Sequence, residues 1–329
     1  MRRIKPLLTV LGVLVFFFML GTVFGEDVIP PTPEPPASSG PERPTPGPTE
    51  PPEKAVIDHI NYPREQRDFR FRQEAKLLEI WFPSIRDADE AILTYDGQVY
   101  LIDCGDEKAG GHGADLLKQL GITKIDILFT SHLHHDHING LAVTDDTAKI
   151  GMIKTCYPLD STESGLMLME TADLRGIPIS EYRNGDTFYM GSDGAVSLQF
   201  FKNSNPELDM NNQGAVTIVR YGERSILFAA DLDKAGQEEL LKHVDPSILK
   251  SDILKYPHHA KNALAEGFYE AVRPRLAVVT TVQKRKDLGH RYLIFRKIPS
   301  AFTPQKGLCI HLATDGNFWL CENVKTKEQ

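Results

Sequence analysis

Four histidines and an aspartate lie close together in the heptapeptide 131–137, whose sequence is SHLHHDH. Neutral imidazoles and a carboxylate are the ligands that zinc and similar divalent ions prefer in proteins. A solvated histidine-rich loop is the alternative, but the pattern H-x-H-x-D-H is too particular for chance composition. The heptapeptide therefore predicts a metal centre, and other parts of the chain must supply the remaining ligands.

The elements around the heptapeptide alternate between strands and helices. An apolar run at residues 125–129 predicts a buried strand, and α/β proteins usually build their sites on the loops that leave such strands. Hairpins are predicted at both ends of the domain, the first closed by Asp96-Gly97 and the last spanning residues 308–320. Between them we predict helices at 113–120, 163–174 and 234–243, and strands at 196–201, 215–221, 225–230, 253–256 and 276–280. This order indicates an α/β fold with two packed sheets and helices outside.

Asp103, Asp231 and the pair His258-His259 all follow predicted strands. Together with the H-x-H-x-D-H loop, their order and spacing resemble the metallo-β-lactamase superfamily over roughly residues 77 to 321. The resemblance implies a four-layer αβ/βα sandwich whose site lies at one edge, between the two sheets. It also implies catalysis by metal-activated water.

The resemblance assigns a role to each of these positions in turn. The metal ligands it implies are His132, His134, Asp136, His137, Asp231 and His259. Asp231 would bridge two metals, and Asp103 would orient the loop from behind. His259 is favoured over His258 as the ligand, because neighbours on an extended chain point opposite ways. His258 would then face the substrate as an acid.

Two further catalytic roles follow from the same resemblance. Asp136 would act in catalysis as well as in metal binding, and His290 would stabilise an attacking or departing oxygen. An ordinary surface histidine is an equally good interpretation of His290. The expected cofactor is zinc, as two ions, with manganese as the alternative.

One feature departs from the superfamily pattern. A third histidine for the first metal is common between the loop and the bridging aspartate, but no histidine occurs between His137 and His243. The segment 209–214, DMNNQG, stands in its place, so the first metal is expected to bind weakly. Asparagine here, and Lys255 three residues before His258, resemble the hydrolase domain of ComEC-type DNA-uptake proteins and secreted choline-phosphate esterases that act on teichoic acid.

Charge and composition limit the classes of molecule that the protein is expected to bind. The chain has 329 residues, 41% of them hydrophobic, and a formal charge of −8, which argues against a general nucleic-acid coat protein. The densest basic cluster consists of Lys284, Arg285, Lys286, Arg291, Arg296 and Lys297. Such a cluster is either a solvated face or the lining of a site for a phosphate-bearing polymer, DNA or teichoic acid among them.

The N-terminal part of the chain predicts export. Basic residues precede an apolar stretch within residues 1–25, which is typical of a signal peptide and is also close to the length of a membrane anchor. Residues 26–54 are rich in proline and polar residues and predict an extended spacer. Residues 55–329 would form the hydrolase domain, secreted or anchored to the membrane.

The four cysteines form no C-x-x-C pair, which excludes a zinc ribbon or a thioredoxin-like site. Cys309 and Cys321 flank the predicted turn of the last hairpin and form a disulfide only if the strand register brings them opposite each other. Cys104 and Cys156 are expected to be buried free thiols.

Three functions remain in competition. The favoured hypothesis is an exported metal-dependent phosphodiesterase or phosphoesterase. The second keeps the fold and metal but hydrolyses lactones or β-lactams, and the third is a non-catalytic metal-binding module. The absent third histidine and the basic cluster favour phosphoesters.

Overall fold

The computed structural model describes residues 71, 74–85, 87–106, 110–282, 286–303 and 308–325. The predicted signal peptide or anchor at residues 1–25 and the predicted spacer at residues 26–54 lie outside the described residues. Within the described ranges, no helix combines the length and the apolar character needed to cross a membrane.

Two large sheets make up the centre of the molecule. The first sheet contains, in spatial order, β17 (Trp319–Lys325), β16 (Leu308–Thr314), β1 (Leu78–Phe82), β2 (Glu90–Tyr95), β3 (Gln98–Cys104), β5 (Ile127–Phe129), β7 (Ile153–Thr155) and β8 (Ile179–Glu181). The second contains β15 (Ser300–Phe302), β14 (Leu276–Val279), β13 (Ile253–Lys255), β12 (Arg224–Phe228), β11 (Val216–Tyr221), β10 (Val196–Phe201) and β9 (Thr187–Met190). A small ribbon pairs β4 (Lys124–Ile125) with β6 (Lys149–Ile150).

Helices cover the outer faces of these sheets. They are α1 (Gly110–Gln119), α2 (His135–Ile138), α3 (Leu141–Thr147), α4 (Glu163–Arg175), α5 (Lys234–Leu240), α6 (Glu266–Val272) and α7 (Leu288–Arg296). The predicted helix at 163–174 matches α4 to within one residue, whereas α5 ends three residues before the predicted helix at 234–243 does. Strands β8, β9 and β15 are too short to give a clear pattern and are missing from the sequence prediction.

The main apolar core lies between the two sheets. Alternate residues of β1 point into it, and Phe82 stacks on Phe228 of the second sheet with ring centroids 5.9 Å apart. A second core fills the space between the other face of the second sheet and α5, α6 and α7, where Leu254 and Phe268 are buried. The helix–sheet–sheet–helix order confirms the predicted αβ/βα sandwich.

The last hairpin corrects the disulfide prediction. Strands β16 and β17 are joined by residues 315–318, a four-residue connection instead of the predicted three. In the resulting register Cys309 faces Val324, and Cys321 faces Leu312. The two cysteines are therefore three pairs apart along the ladder, and these two buried residues form no disulfide. Cys104 and Cys156 are also buried and free, which confirms that prediction.

Parallel pairing brings the ends of several strands to one edge of the sandwich. In the first sheet β3 pairs with β5, and in the second β12 pairs with β13 and β13 with β14, all in parallel. The carboxyl ends of parallel strands meet at the same edge, and polar loops can gather there without disturbing the core. The loops after these five strands carry the residues of the candidate site.

Candidate metal centre

Asp103 holds the histidine loop from behind. It lies one residue before the end of β3, is buried and has a positive φ of 59°. Its carboxylate accepts hydrogen bonds from both the backbone N–H and the hydroxyl of Ser131, each at 2.7 Å. The same carboxylate lies 2.7 Å from His137 Nδ1. Because Nδ1 donates to this carboxylate, Nε2 of His137 is left as a ligand atom. The structure therefore places Asp103 directly behind Ser131 and His137, and its role in orienting metal ligands stays a prediction.

Asp136, His137, Asp231 and His259 form one cluster, which we call the deep group. Their ligand-type atoms all lie within 4.8 Å of one another. His137 Nε2 is 3.4 Å from Asp231 Oδ1, and His259 Nε2 is 3.5 Å from Asp136 Oδ2 and 4.0 Å from Asp231 Oδ2. Three of the four predicted ligands in this group are almost completely buried.

Three atoms of the deep group have no hydrogen-bond partner among the described residues, although they are buried. They are His137 Nε2, Asp231 Oδ1 and His259 Nε2. Buried polar atoms are normally satisfied, and orphaned ones cost about 1–3 kcal/mol each. Three of them converging within one cluster of imidazoles and carboxylates fit a divalent cation, which accepts all these electron pairs at once.

The charge balance of the deep group also favours a cation. Burial disfavours the charged form of His137, but the carboxylates of Asp231 and Asp103 outweigh burial and hold its pKa well above the usual value. Burial alone would raise the pKa of Asp231, yet His137 and His259 hold it well below its ordinary range. The carboxylate of Asp231 thus stays ionised although it is buried, and it attracts positive charge.

His132 and His134 form a separate pair, which we call the outer pair. His132 Nε2 lies 3.1 Å from His134 Nδ1, and Ser131 Oγ lies 3.1 Å from His132 Nδ1. Burial lowers the pKa of His132 well below its usual value, so the ring is neutral and can act as a ligand. Neither histidine belongs to the cluster of the deep group.

The segment 209–214 takes the position next to the loop. The backbone N–H of Ala215 donates to the Ser131 carbonyl at 2.8 Å, which ties the end of this segment to the loop. Asn212 Oδ1 accepts from the N–H groups of Asp233 and Gly236 and so holds the start of α5. Asn211 Oδ1 is buried and has no hydrogen-bond partner within the described part of the chain. As a potential metal ligand, this segment therefore offers the amide oxygen of Asn211 and no imidazole.

The pair His258-His259 lies in a strained turn and not on an extended chain. His258 and His259 both have φ of 50°, and Ala260 follows with 59°. Three successive non-glycine residues in this region are costly and persist only where the surroundings hold them, which is typical of functional sites. The sequence predicts that the two rings diverge because the chain is extended. The chain is not extended here, so the reason given for that prediction is wrong.

The strained turn nevertheless sends the two rings to different places. His259 is 1% exposed and enters the deep group. His258 lies nearer the surface, with Nδ1 3.2 Å from Asp233 Oδ1 and Nε2 3.8 Å from Asp231 Oδ2. The sequence does not indicate the Asp233 contact, because nothing in the pattern separates Asp233 from an ordinary helix-capping aspartate.

Asp89, Lys255 and Thr280 form a polar cluster behind His259 that sequence reasoning missed. Lys255 Nζ forms an ion pair with Asp89 Oδ2, and both residues are buried. The hydroxyl of Thr280 donates to Asp89 Oδ1 and lies 3.1 Å from His259 Nδ1. These contacts link β2 of the first sheet to β13 and β14 of the second, behind the deep group.

His290 lies in α7 and is buried. Its ring packs edge-on against Phe302, with centroids 5.3 Å apart. It belongs to neither of the two ligand clusters found in the described residues. Its predicted role at the reacting oxygen therefore stays a prediction, as does the catalytic role of Asp136.

Most of the basic cluster lies on α7 and beside it. Lys286, Arg291 and Lys297 are exposed. Arg296 instead pairs with Glu266 and stacks over the ring of Tyr269 at 4.5 Å. Lys284 and Arg285 lie outside the described residues.

The arrangement supports metal-dependent hydrolysis. Four imidazoles and two carboxylates meet at one edge of the sandwich, and His258 and Asp233 lie at the more open side. Sites with imidazole and carboxylate ligands and open positions are catalytic, whereas closed structural sites are usually rich in cysteine.

The chain resembles several known proteins. A segment of 50 residues is 44% identical to ribonuclease Z of Methanococcus aeolicus, and it covers only 15% of the length of that relative and 15% of this chain. A metallo-β-lactamase from Cronobacter sakazakii is 16% identical over 53% of this chain and 75% of its own, with a TM-score of 0.38. A diphosphatase from the PhnP family is 15% identical over 71% of this chain and 96% of its own, with a TM-score of 0.41.

The family model of the metallo-β-lactamase superfamily matches residues 91–267 of this chain. The matched range begins in β2 and ends in α6, and so contains the histidine loop, Asp231 and His259. It is more than half of the 329-residue chain. The chain therefore belongs to the metallo-β-lactamase superfamily of metal-dependent hydrolases.

Proposed function

We propose that this protein is an exported phosphodiesterase or phosphoesterase that depends on two divalent metal ions, with zinc or manganese as the ions. The observation that carries the proposal is the position of Asp231. Its Oδ1 faces His137 Nε2 at 3.4 Å, and its Oδ2 faces His258 and His259 at 3.8 and 4.0 Å. Asp231 also acts on the outer pair, since its charge raises the pKa of His132 against the effect of burial. A carboxylate that acts on both sets of ligands is suited to bridge a pair of ions.

A pair of divalent ions, when bound, lowers the pKa of a water molecule and neutralises charge on the phosphoryl oxygens. His132 and His134 would hold one ion, and Asp136, His137 and His259 the other, with Asp231 between them. Enzymes that use such pairs include phosphatases and nucleases, because both the attacking and the departing oxygen carry negative charge.

His258 is the residue that we assign to proton transfer. It is less buried than His259, and Asp233 holds its Nδ1 at 3.2 Å. An imidazole held in this way keeps Nε2 directed toward Asp231 and the reacting centre. It can donate a proton to the departing oxygen, as a positioned general acid does.

Three observations support a phosphoester over an acyl substrate. The segment 209–214 offers an amide where β-lactam hydrolysis would be expected to use a third imidazole. Exposed cations, Lys286 and Arg291 among them, lie beside the turn that carries His258. The similar curated protein is a ribonuclease, a class that cleaves phosphodiesters. Hydrolysis of a lactone or β-lactam on the same metals is the competing function.

The location of the substrate follows from the N-terminal segment. Export, which residues 1–25 predict, would place the domain outside the cytoplasm. Phosphate-bearing polymers of the cell envelope, teichoic acid among them, and extracellular DNA are the substrates in reach there. The resemblance to choline-phosphate esterases and to ComEC-type hydrolase domains fits either class.

The test is a substrate panel with the purified full-length protein and measured metal content. The panel contains bis-p-nitrophenyl phosphate, single- and double-stranded DNA, a phosphocholine ester and nitrocefin, each with zinc or manganese. We expect turnover of at least one phosphoester and none of nitrocefin. Turnover of nitrocefin alone would establish the acyl hydrolase, and two bound metals without turnover of any substrate would refute both enzymatic functions.

A further inference from the structure

Helix α7 presents large apolar side chains to solvent. Leu288, Ile294 and Phe295 are 54%, 60% and 77% exposed. Arg291 lies on the same face, because residues 288, 291 and 295 follow the i, i+3, i+7 spacing of one helical face. Lys297 follows at the end of the helix and is also exposed. We call these five residues the α7 face.

The α7 face borders the candidate metal centre. The backbone N–H of Leu288 donates to the carbonyl of Lys261 at 3.2 Å, two residues after His259. Gly289 packs so closely on the carbonyl oxygens of Ala260 and Asn262 that a Cβ there would lie 2.4 and 2.6 Å from them. The helix is thus fixed against the turn that carries His258 and His259.

Helix α4 offers an internal comparison, since it also exposes apolar side chains. Met167 and Leu174 are 50% and 87% exposed. Their exposed neighbours on α4 are acidic, namely Glu163, Glu170 and Asp173, whereas those of the α7 face are basic. The two helices therefore share apolar exposure and differ in the sign of the surrounding charge.

We propose that the α7 face binds the surface of an anionic lipid bilayer. A soluble polyanion is attracted by cations but gains little from exposed leucine, isoleucine and phenylalanine. A bilayer interface accepts both, because apolar side chains enter the headgroup boundary while arginine and lysine contact anionic headgroups. The net charge of the chain is −8, so the positive charge of this face is local and not a property of the whole surface.

Binding of the α7 face to a bilayer does not depend on the reaction at the metals. It places the opening near His258 close to the membrane plane. Substrates whose phosphate groups lie within or near the bilayer interface, such as lipid-linked phosphopolymers, would then reach the site more readily than soluble ones.

The test measures depth in the bilayer directly. The full-length Phe295→Trp protein is mixed with vesicles of phosphatidylglycerol whose acyl chains are brominated, and tryptophan emission is compared with that in unbrominated vesicles. Emission of the unsubstituted protein, which contains Trp81 and Trp319, is subtracted. We expect roughly a twofold loss of the emission from position 295, because an interfacial helix lies about 5–10 Å deep, within reach of the bromines.

Leu174→Trp on α4 is the matched control, since position 174 is at least as exposed as position 295 but has acidic neighbours. It should keep its emission in the same vesicles, and so control for proximity that the N-terminal segment alone would cause. Phosphatidylcholine vesicles, and the addition of Arg291→Glu with Lys297→Glu, should each remove the quenching at position 295. Equal quenching at 174 and 295, equal quenching in both lipids, or no quenching at 295 would each overturn the proposal. The readout contains no turnover, so its failure leaves the proposed function untouched.

Discussion

The two halves of the metal centre differ in how firmly their ligands are held. In the deep group, the carboxylate of Asp103 contacts Nδ1 of His137 directly. Nδ1 of His259 contacts the hydroxyl of Thr280, which in turn donates to Asp89. In the outer pair, the two rings contact each other at 3.1 Å, and His132 is backed by a serine hydroxyl. A carboxylate thus holds His137 of the deep group directly. In the outer pair, the carboxylate of Asp103 reaches His132 only through the Ser131 hydroxyl, and the side-chain contact of His134 is with His132.

The two proposed ions are therefore not expected to bind equally. Partners behind the ligands of a metal typically change its affinity by about 10–100-fold. The deep group combines such partners with three buried atoms that lack a hydrogen bond in the described residues. We therefore expect a tight ion in the deep group and a weaker one at the outer pair, and the following predictions test that order.

Replacing Asp231 should have the largest effect, because this carboxylate contacts His137 and His259 of the deep group and acts electrostatically on His132 of the outer pair. We expect Asp231→Ala to lose both ions and at least about a thousandfold in turnover, as happens when one member of a catalytic unit is removed. Metal content after dialysis and turnover of bis-p-nitrophenyl phosphate measure the two effects.

The matched control is Asp145→Ala. Asp145 is also a buried carboxylate, but it pairs with Lys149 and Arg175 and belongs to neither ligand cluster found in the described residues. This variant should be less stable yet keep both ions. An Asp231→Ala protein that retains metal and activity would contradict the ligand scheme.

The sequence predicted which residues come together at one edge of the sandwich better than it predicted the contacts behind them. Asp103 and Asp231 could be placed because each follows an apolar strand, and parallel strands end at the same edge. The partnership of Asp89 with Lys255 could not, since it joins residues 166 positions apart in two different sheets. Only the packing of the two sheets creates that contact, and no local pattern contains it.

Backbone geometry accounts for the other differences between the sequence prediction and the structure. Local pattern predicts an extended chain after β13, yet His258, His259 and Ala260 adopt positive φ values that side chains rarely favour. The register of the last hairpin depends on whether its turn has three or four residues. The turn begins one residue later than predicted and contains one residue more, and the two changes together place Cys309 opposite Val324 and exclude the disulfide.

The second test removes the cluster behind His259 and leaves the ligands in place. Lys255→Met keeps the length of the side chain but leaves Asp89 buried without its cation. We expect a loss of about 3–5 kcal/mol in the free energy of unfolding, the usual effect of breaking a buried ion pair. Urea unfolding measures this loss, and metal titration should show weaker binding at the deep group only.

A double-mutant cycle tests whether Asp89 and Lys255 interact energetically. Asp89→Asn removes the unpaired charge, so the double variant Asp89→Asn/Lys255→Met should be more stable than Lys255→Met alone. Equal weakening of both ions would show that the cluster supports the fold in general and not the deep group. Additive losses in the cycle would show that the two residues do not interact energetically.

The smallest expected effect comes from supplying the imidazole that the outer pair lacks. Asn211 lies in the segment that is tied to the histidine loop, and its buried Oδ1 has no partner among the described residues. Asn211→His offers a third nitrogen ligand to the ion at the outer pair. We expect the affinity for the second equivalent of metal to rise by about tenfold, the lower end of what the surroundings of a metal can change, while the first equivalent binds as before. Asn211→Ala is the control and should leave the second equivalent as weak or weaker. If both equivalents already bind equally in the unsubstituted protein, the two halves do not differ in the way that their surroundings predict.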